Sequence, residues 1–105
     1  MMLEKVKLAK RIQTTVFDQE LLDLIGAGIK DLQHPGAKFD YTVITDSETG
    51  EVTDYQITDL LVARAVTTYA IMNFGNPENY DKLKASYDEQ KGQLRESLDY
   101  GMEIL

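Results

Sequence analysis

One long apolar segment, residues 57–74, constrains what this chain can fold into more than any other feature. Within residues 60–74 only Arg64 carries a charge, and apolar or small side chains fall on every side of a helical wheel. A helix without a polar face is buried on all sides. The segment therefore predicts a central buried helix, in which Arg64 either pairs with an acid or reaches the surface by its stem.

A second helix is predicted directly after this segment, over residues 77–99. Gly75 stands where a glycine commonly ends a helix, and Asn76 followed by Pro77 is typical of an N-cap and a first helical residue. The apolar side chains of this helix recur at helical spacing: Tyr80, Leu83, Tyr87 and Leu94. We therefore expect one face to pack and the other to be solvated.

The first half of the chain predicts two more helices and a hairpin. The helices cover residues 3–13 and 18–33, and the second has a wide stripe of leucine and isoleucine. Its Gly26 and Gly28 each cost about 0.5–1 kcal/mol relative to alanine, which favours the close approach of another helix as compensation. Residues 39–55 then alternate with period two around a polar DSETG turn. This pattern predicts a short β-hairpin or extended loop that leans on the helices or on a neighbouring subunit.

The composition favours one soluble intracellular domain, residues 1–105. The chain has 105 residues and no cysteine, which excludes a disulfide framework and a thiolate zinc site. No apolar run has the length of a signal-peptide core or a membrane span. The predicted fold class is all-α, a small bundle of about four helices with a long central helical hairpin and the hairpin insertion.

The charge of the chain is acidic but unevenly distributed. The net charge is −7, from 18 acids and 11 bases, and such a balance opposes general affinity for nucleic-acid phosphates. The first 13 residues nevertheless hold four bases against Glu4 alone. These bases are Lys5, Lys7, Lys10 and Arg11. A basic segment on an acidic body can dock on an acidic neighbour, including a second copy, and the alternative is a solvated helix face.

Few residues are spaced for catalysis or metal binding. Glu20 and Asp23 could share a helix face and hold Mg²⁺, and Glu78 and Asp81 repeat that spacing. Each pair also falls in the first turn of its predicted helix, where acids favour the helix dipole. His34 is the only histidine, and the glycine-loop and nucleophile-elbow motifs do not occur. We expect no enzymatic activity, no catalytic or metal-binding residue and no cofactor.

Two blocks of sequence carry a resemblance to a known family. The helix that ends in FGNP, followed by ENYDKLKASYDEQKGQL, resembles the closing half of the small head-tail connector proteins of tailed phages and Gram-positive prophages. The block DQELLDLIGAGIKDLQHPG is similar to the early leucine-rich helix of that family. Gly26, Gly28 and the extended segment 39–55 depart from the family's pattern.

The resemblance implies a structural adaptor that forms a ring, about twelve-fold, beneath the portal. Such a ring extends the DNA channel and supports a stopper or tail-completion protein, and proteins of this kind are also called DNA-packaging proteins. The implied partners are other copies of the chain, the portal and the stopper or tail-completion protein. DNA is only a passing contact, and no membrane is involved. The implied location is the neck of the virion, after assembly in the host bacterial cytoplasm.

Three segments are the candidate contacts of such an assembly. They are the basic first helix, the hairpin turn and the apolar C-terminal residues. The residues of the last two are Asp46, Ser47, Glu48, Thr49 and Gly50, and Met102, Ile104 and Leu105. Because the first helix is too short to be stable alone, a neighbour is expected to supply an apolar surface for its Leu3, Val6 and Leu8. The alternative function is a small acidic helical regulator of the antitoxin or anti-repressor kind, which is monomeric or dimeric.

Overall fold

A computed structural model describes residues 1–33 and 38–96 of the chain. Those residues form, in chain order, α1 (Met2–Lys10), α2 (Asp18–Gln33), β1 (Thr42–Thr45), β2 (Val52–Gln56), α3 (Leu60–Asn73) and α4 (Tyr80–Glu96). The fold is mostly helical but not strictly all-α, because β1 and β2 pair as an antiparallel sheet. His34, the predicted end of the last helix at residue 99, and the candidate contacts Met102, Ile104 and Leu105 lie outside the described residues.

The helix α3 lies at the centre of the bundle, where it packs against α1, α2 and α4. It begins three residues later than predicted, because Asp59 caps it with extended backbone. The Asp59 carboxylate accepts hydrogen bonds from the backbone N–H groups of Leu61 and Val62. At the other end Gly75 has a φ of +64°, the left-handed conformation predicted for a glycine that ends a helix.

The burial of α3 is not complete, and the prediction of burial on every side is wrong for its first turn. Val62 and Val66 are fully buried, whereas Leu60 is 76% exposed and Leu61 is also exposed. The three neighbouring helices pack on the other sides of α3 and leave this side open. Arg64 lies on the same open side and is exposed. Of its two predicted alternatives, the structure therefore shows the one in which the side chain reaches the surface.

The helix α2 coincides with its predicted range and uses both glycines for close contacts. A Cβ atom on Gly28 would lie 3.0 Å from Cδ1 of Tyr69 in α3, so this glycine allows the two helices to approach as predicted. A Cβ atom on Gly26 would lie 2.7 Å from the Tyr55 hydroxyl, so the partner at this position is the hairpin. The apolar stripe of the helix is buried at Leu21, Leu22, Ile25, Ile29 and Leu32.

The short helix α1 is held by its own chain. Met2 and Val6 are fully buried in the common core, and α1 contacts α3 and α2. The expectation that a neighbouring subunit covers Val6 is therefore wrong, since tertiary packing within the chain stabilises this helix. Leu3 is partly buried against the same core, whereas Leu8 is 73% exposed.

The helix α4 begins at Tyr80, so Asn76 and Pro77 are not its cap and first residue. A turn precedes it, in which the N–H of Tyr80 donates to the carbonyl of Pro77, and the first bond of the helix runs from the N–H of Leu83 to the carbonyl of Asn79. The predicted packing face is present, although Tyr80 itself is exposed. The packed side chains are Leu83, Tyr87, Gln90 and Leu94.

The hairpin is anchored to two helices through consecutive residues of β2. Val43 pairs with Tyr55, and a bulge between Ile44 and Thr45 interrupts the ladder toward the turn. Asp54 Oδ1 accepts a hydrogen bond of 3.0 Å from the N–H of Leu3 at the start of α1, while Tyr55 lies over α2. Because successive side chains of a strand point to opposite faces, α1 and α2 hold opposite faces of the hairpin.

The burial pattern predicts different effects for two leucine truncations. Leu21→Ala is expected to lower the free energy of unfolding by about 2–5 kcal/mol, because it leaves a cavity in the core. Leu60→Ala is expected to change it by less than about 0.5 kcal/mol. Urea denaturation followed by circular dichroism measures both. A similar large loss at Leu60 would mean that the first turn of α3 is covered.

Candidate functional site

The surface of α1 presents fewer free charges than its sequence suggests. Lys5 and Arg11 are exposed and Lys10 is half-buried. Lys7 is engaged within the chain, because its Nζ lies 2.8 Å from Oδ1 of Asp18 in the first turn of α2. Arg11 ends the helix with a φ of 58°, a left-handed conformation that costs a non-glycine residue about 1–2 kcal/mol. The charge that α1 offers to a partner is therefore carried mainly by Lys5, Lys10 and Arg11.

The predicted turn of the hairpin, residues 46–50, is exposed and contains two acids, Asp46 and Glu48. Every residue of 46–50 is exposed. Asp46 Oδ1 accepts hydrogen bonds from the backbone N–H groups of Thr49 at 3.1 Å and Glu48 at 2.8 Å. These two bonds, with that of Thr49 the stronger cause, hold the pKa of the Asp46 carboxyl below its ordinary value. Gly50 has a φ of +75°, so the turn depends on a glycine at this position.

Two of the grooves beside the hairpin lie on its opposite faces. The groove next to α1 has a volume of about 370 Å³ and is lined by Leu3, Glu4, Lys7, Leu8, Ile12 and Asp54. The groove next to α2 has a volume of about 530 Å³, and we name it the α2–hairpin groove. Its apolar lining is Ala27, Ile29, Tyr41, Val43, Val52 and Tyr55. The period-two pattern could place Tyr41 and Val43 on one face, but it could not identify α2 as the opposite wall.

A polar cluster between α2 and α4 was not predicted from the sequence. The Tyr87 hydroxyl donates to Asp31 Oδ2, and Lys91 Nζ lies 3.3 Å from the same oxygen. The Lys91 ammonium also lies 5.3 Å from the centre of the Tyr87 ring. Tyr69 of α3 packs on this ring with 5.5 Å between centroids. The cluster therefore ties three helices together at one place.

Burial is the main reason that the Tyr87 phenol holds its proton. It raises the pKa of Tyr87 well above the ordinary value, and the hydrogen bond to Asp31 raises it further. Burial likewise raises the pKa of Tyr55, with a smaller contribution from the Asp23 carboxylate. Both phenols are therefore neutral hydrogen-bond donors near pH 7, and neither is poised to accept a proton.

The two acidic pairs considered as metal ligands, Glu20 with Asp23 and Glu78 with Asp81, are arranged differently in the structure. Glu20 and Asp23 lie in α2, and Asp23 accepts a hydrogen bond of 3.0 Å from Gln19 Nε2. Glu78 precedes α4, so it does not share a helix face with Asp81. Within residues 1–33 and 38–96, no group of three or more histidine, aspartate or glutamate side chains could hold a metal ion. In the same ranges no helix is long and apolar enough to cross a membrane.

Comparison with known protein families assigns the chain to one of them. The family profile described as phage connector protein matches residues 2–101. The chain belongs to the phage connector protein family. The match includes both blocks that carry the resemblance, so the predicted relationship to head-tail connectors is confirmed. Comparison with curated proteins and with solved structures gave no match.

Membership of this family gives the exposed surfaces a context. A phage connector is a component of the virion that contacts other phage proteins. The connector's basic α1, its acidic hairpin turn and its two grooves are therefore candidate protein-contact surfaces. The sequence indicated the first two through charge and turn pattern, whereas the grooves arise between segments that are distant in the chain.

The raised pKa of Tyr87 predicts that this connector loses stability at alkaline pH. Above about pH 10 the unfolded chain releases the phenolic proton while the folded protein retains it, so rising pH favours unfolding. The slope from this group rises through about pH 10 and approaches about 1.4 kcal/mol per pH unit above it. Tyr87→Phe should remove this part of the dependence in urea titrations between about pH 9 and 11.

Tyr80→Phe is the matched control, since Tyr80 is exposed. It should keep the alkaline slope of the parent. Equal slopes for the parent and for Tyr87→Phe would mean that other groups account for the dependence.

Proposed function

We propose that this connector is a structural protein of the virion neck that forms a ring beneath the portal. The ring extends the channel through which DNA passes and supports a stopper or tail-completion protein. The observation that carries this proposal is the match of the connector family to residues 2–101. Assembly takes place in the host bacterial cytoplasm, and no catalytic step is involved.

Exposed apolar side chains support a role in assembly. Leu8 on α1, Val43 on the hairpin and Leu60 on α3 are exposed on three different elements. Single exposed apolar residues are common on any protein. A heterologous ring, however, needs two different surfaces on each subunit, and contacts with the portal and the next neck protein need more. The distribution on separate elements suits such an assembly.

The charge distribution suits a passage for DNA better than a DNA-binding site. The net charge of −7 opposes retention of phosphates, because nucleic-acid affinity comes mainly from clustered lysine and arginine. The hairpin turn and the residue before β2 add exposed acids at Asp46, Glu48 and Glu51. DNA is therefore a transient, non-specific contact in this proposal.

A direct test is electron microscopy of the purified connector mixed with its portal. A ring of additional density on the portal is the expected result, and light scattering gives the state of the connector alone. A stable monomer or dimer that leaves the portal bare would contradict the proposal. That result would support the small acidic regulator instead.

Charge reversal on α1 should weaken ring assembly in a salt-dependent way. Lys5→Glu with Arg11→Glu removes two exposed bases that α1 offers to an acidic neighbour, and it leaves the Lys7–Asp18 pair intact. Exposed ion pairs contribute at most about 1 kcal/mol each and are screened by salt. The loss of assembled ring should therefore be larger at low than at high ionic strength, as measured by sedimentation of portal-bound protein.

Lys38→Glu with Lys82→Glu is the matched control for this experiment. It changes the net charge by the same amount at two exposed positions outside α1 and spares the Lys84–Asp88 ion pair. If it weakens assembly as much as the α1 variant, net charge is responsible rather than a contact of α1. If neither variant differs from the parent at any ionic strength, the electrostatic part of the interface is wrong.

A further inference from the structure

We infer that the side chain of Leu8 docks into the α2–hairpin groove of a second copy of this chain, with Lys5 and Arg11 beside it. The inference rests on the proposed ring and assigns its subunit interface to two defined surfaces. The first surface is Leu8 with its flanking bases, which we name the α1 knob. The second is the α2–hairpin groove.

The groove is an apolar recess with room for an aliphatic side chain. Its volume is about 530 Å³, and its lining includes the exposed side chains of Tyr41 and Val43. Val43 is 43% exposed although it belongs to a strand that already pairs with β2. The side formed by α2 includes Gly26 and Ala27, and the Tyr55 hydroxyl lies in the space that a Cβ atom on Gly26 would occupy. An incoming apolar group would remove this apolar lining from water, which favours association.

The α1 knob has the complementary form, an exposed apolar side chain between two bases. Leu8 is 73% exposed and stands on the outer side of a helix whose inner side, with Met2 and Val6, is buried. Lys5 lies one turn before it and Arg11 ends the helix after it, and both are exposed. Because α1 is packed firmly on its own core, the knob is presented in one fixed position.

The geometry of β2 explains why Leu8 must enter the groove of another copy. Asp54 contacts α1 and lines the groove that contains Leu8, whereas Tyr55 lines the α2–hairpin groove. These consecutive residues point to opposite faces of the strand, so the hairpin stands between Leu8 and the groove of its own chain. In a head-to-tail ring, a surface on one side of each subunit must fit a different surface on the opposite side of the next subunit.

The charges at the groove give the contact an orientation. Asp23 lines the groove, and it also lines an adjoining recess together with Glu51. Lys30 lines the groove as well, so its charge is not of one sign throughout. The bases of the knob are attracted to Asp23 and Glu51 and are repelled by Lys30. Complementary potentials of this kind set the register of an interface more than its affinity.

Cysteine cross-linking tests the contact directly, because the natural chain has no cysteine. The double variant Leu8→Cys with Val43→Cys should form a ladder of disulfide-linked species after mild oxidation, both on the portal and in concentrated protein alone. Mixing the two single variants should give linked dimers and nothing larger, since each copy then carries one half of the contact. Circular dichroism confirms that the variants are folded.

The matched control is Leu60→Cys with Val43→Cys, in which a leucine of similar exposure on α3 replaces Leu8. It should form no ladder. As a second measurement, Leu8→Ala should weaken association between copies about tenfold, while Leu60→Ala should leave it unchanged.

Each result bears separately on the interface and on the connector role. A ring on the portal without cross-links through Leu8 and Val43 would overturn the interface while the proposed function stands. Cross-linked ladders without a ring on the portal would support the interface and contradict the proposed function. Equal ladders from the Leu60 control, or dimers from Leu8→Cys alone as the main product, would overturn the knob-and-groove contact.

Discussion

The burial of α3 is the constraint on which the other elements of this connector depend. The helix carries a single charge, at Arg64 on its open side, and three helices pack on the rest of its surface. The nine-residue α1 is too short to be stable alone, and its Met2 and Val6 are held in the same core. Gly28 lets α2 approach Tyr69, and that ring in turn packs on Tyr87 of α4. Every helix is therefore positioned by its contact with α3.

The hairpin has a different kind of support, because it adds little to the core and would not be stable alone. Its attachment depends on two consecutive residues with different chemistry. Asp54 accepts a hydrogen bond from an otherwise unpaired N–H group at the start of α1, and Tyr55 rests on the surface left open by Gly26. The root of the hairpin is thus fixed while its turn stays exposed, which is the usual arrangement for loops that make contacts.

The division of charges within the chain follows from the same packing. Lys7 and Asp18 pair at 2.8 Å and join α1 to α2, so one of the bases of the first helix is engaged internally. Lys5, Lys10 and Arg11 remain available, and the acids of the hairpin turn remain exposed. Family membership identifies a connector, but only the packing shows which charges can take part in contacts between molecules.

Local patterns in the sequence were enough to predict the four helices of the described residues, the central place of α3, the range of α2 and the resemblance to the connector family. These conclusions depend on local periodicity, on glycine and capping signals, and on two blocks of resemblance, all of which are contained in short stretches of chain. The start of α4 was misplaced because a turn takes up residues 77–79, although Asn76 and Pro77 resemble a helix start. The open side at Leu60 was missed because a helical wheel does not show how many neighbours a helix has.

The tertiary structure alone decided what covers α1, where Lys7 pairs, and which residues form the grooves beside the hairpin. Each of these joins segments that are distant in the chain, such as Leu3 with Asp54 or Gly26 with Tyr55. Such contacts leave no periodic signal in a single sequence, because each depends on how several helices pack together. The sequence therefore indicated that α1 and the hairpin are contact elements, and the packing decided which of their side chains remain free to make contacts.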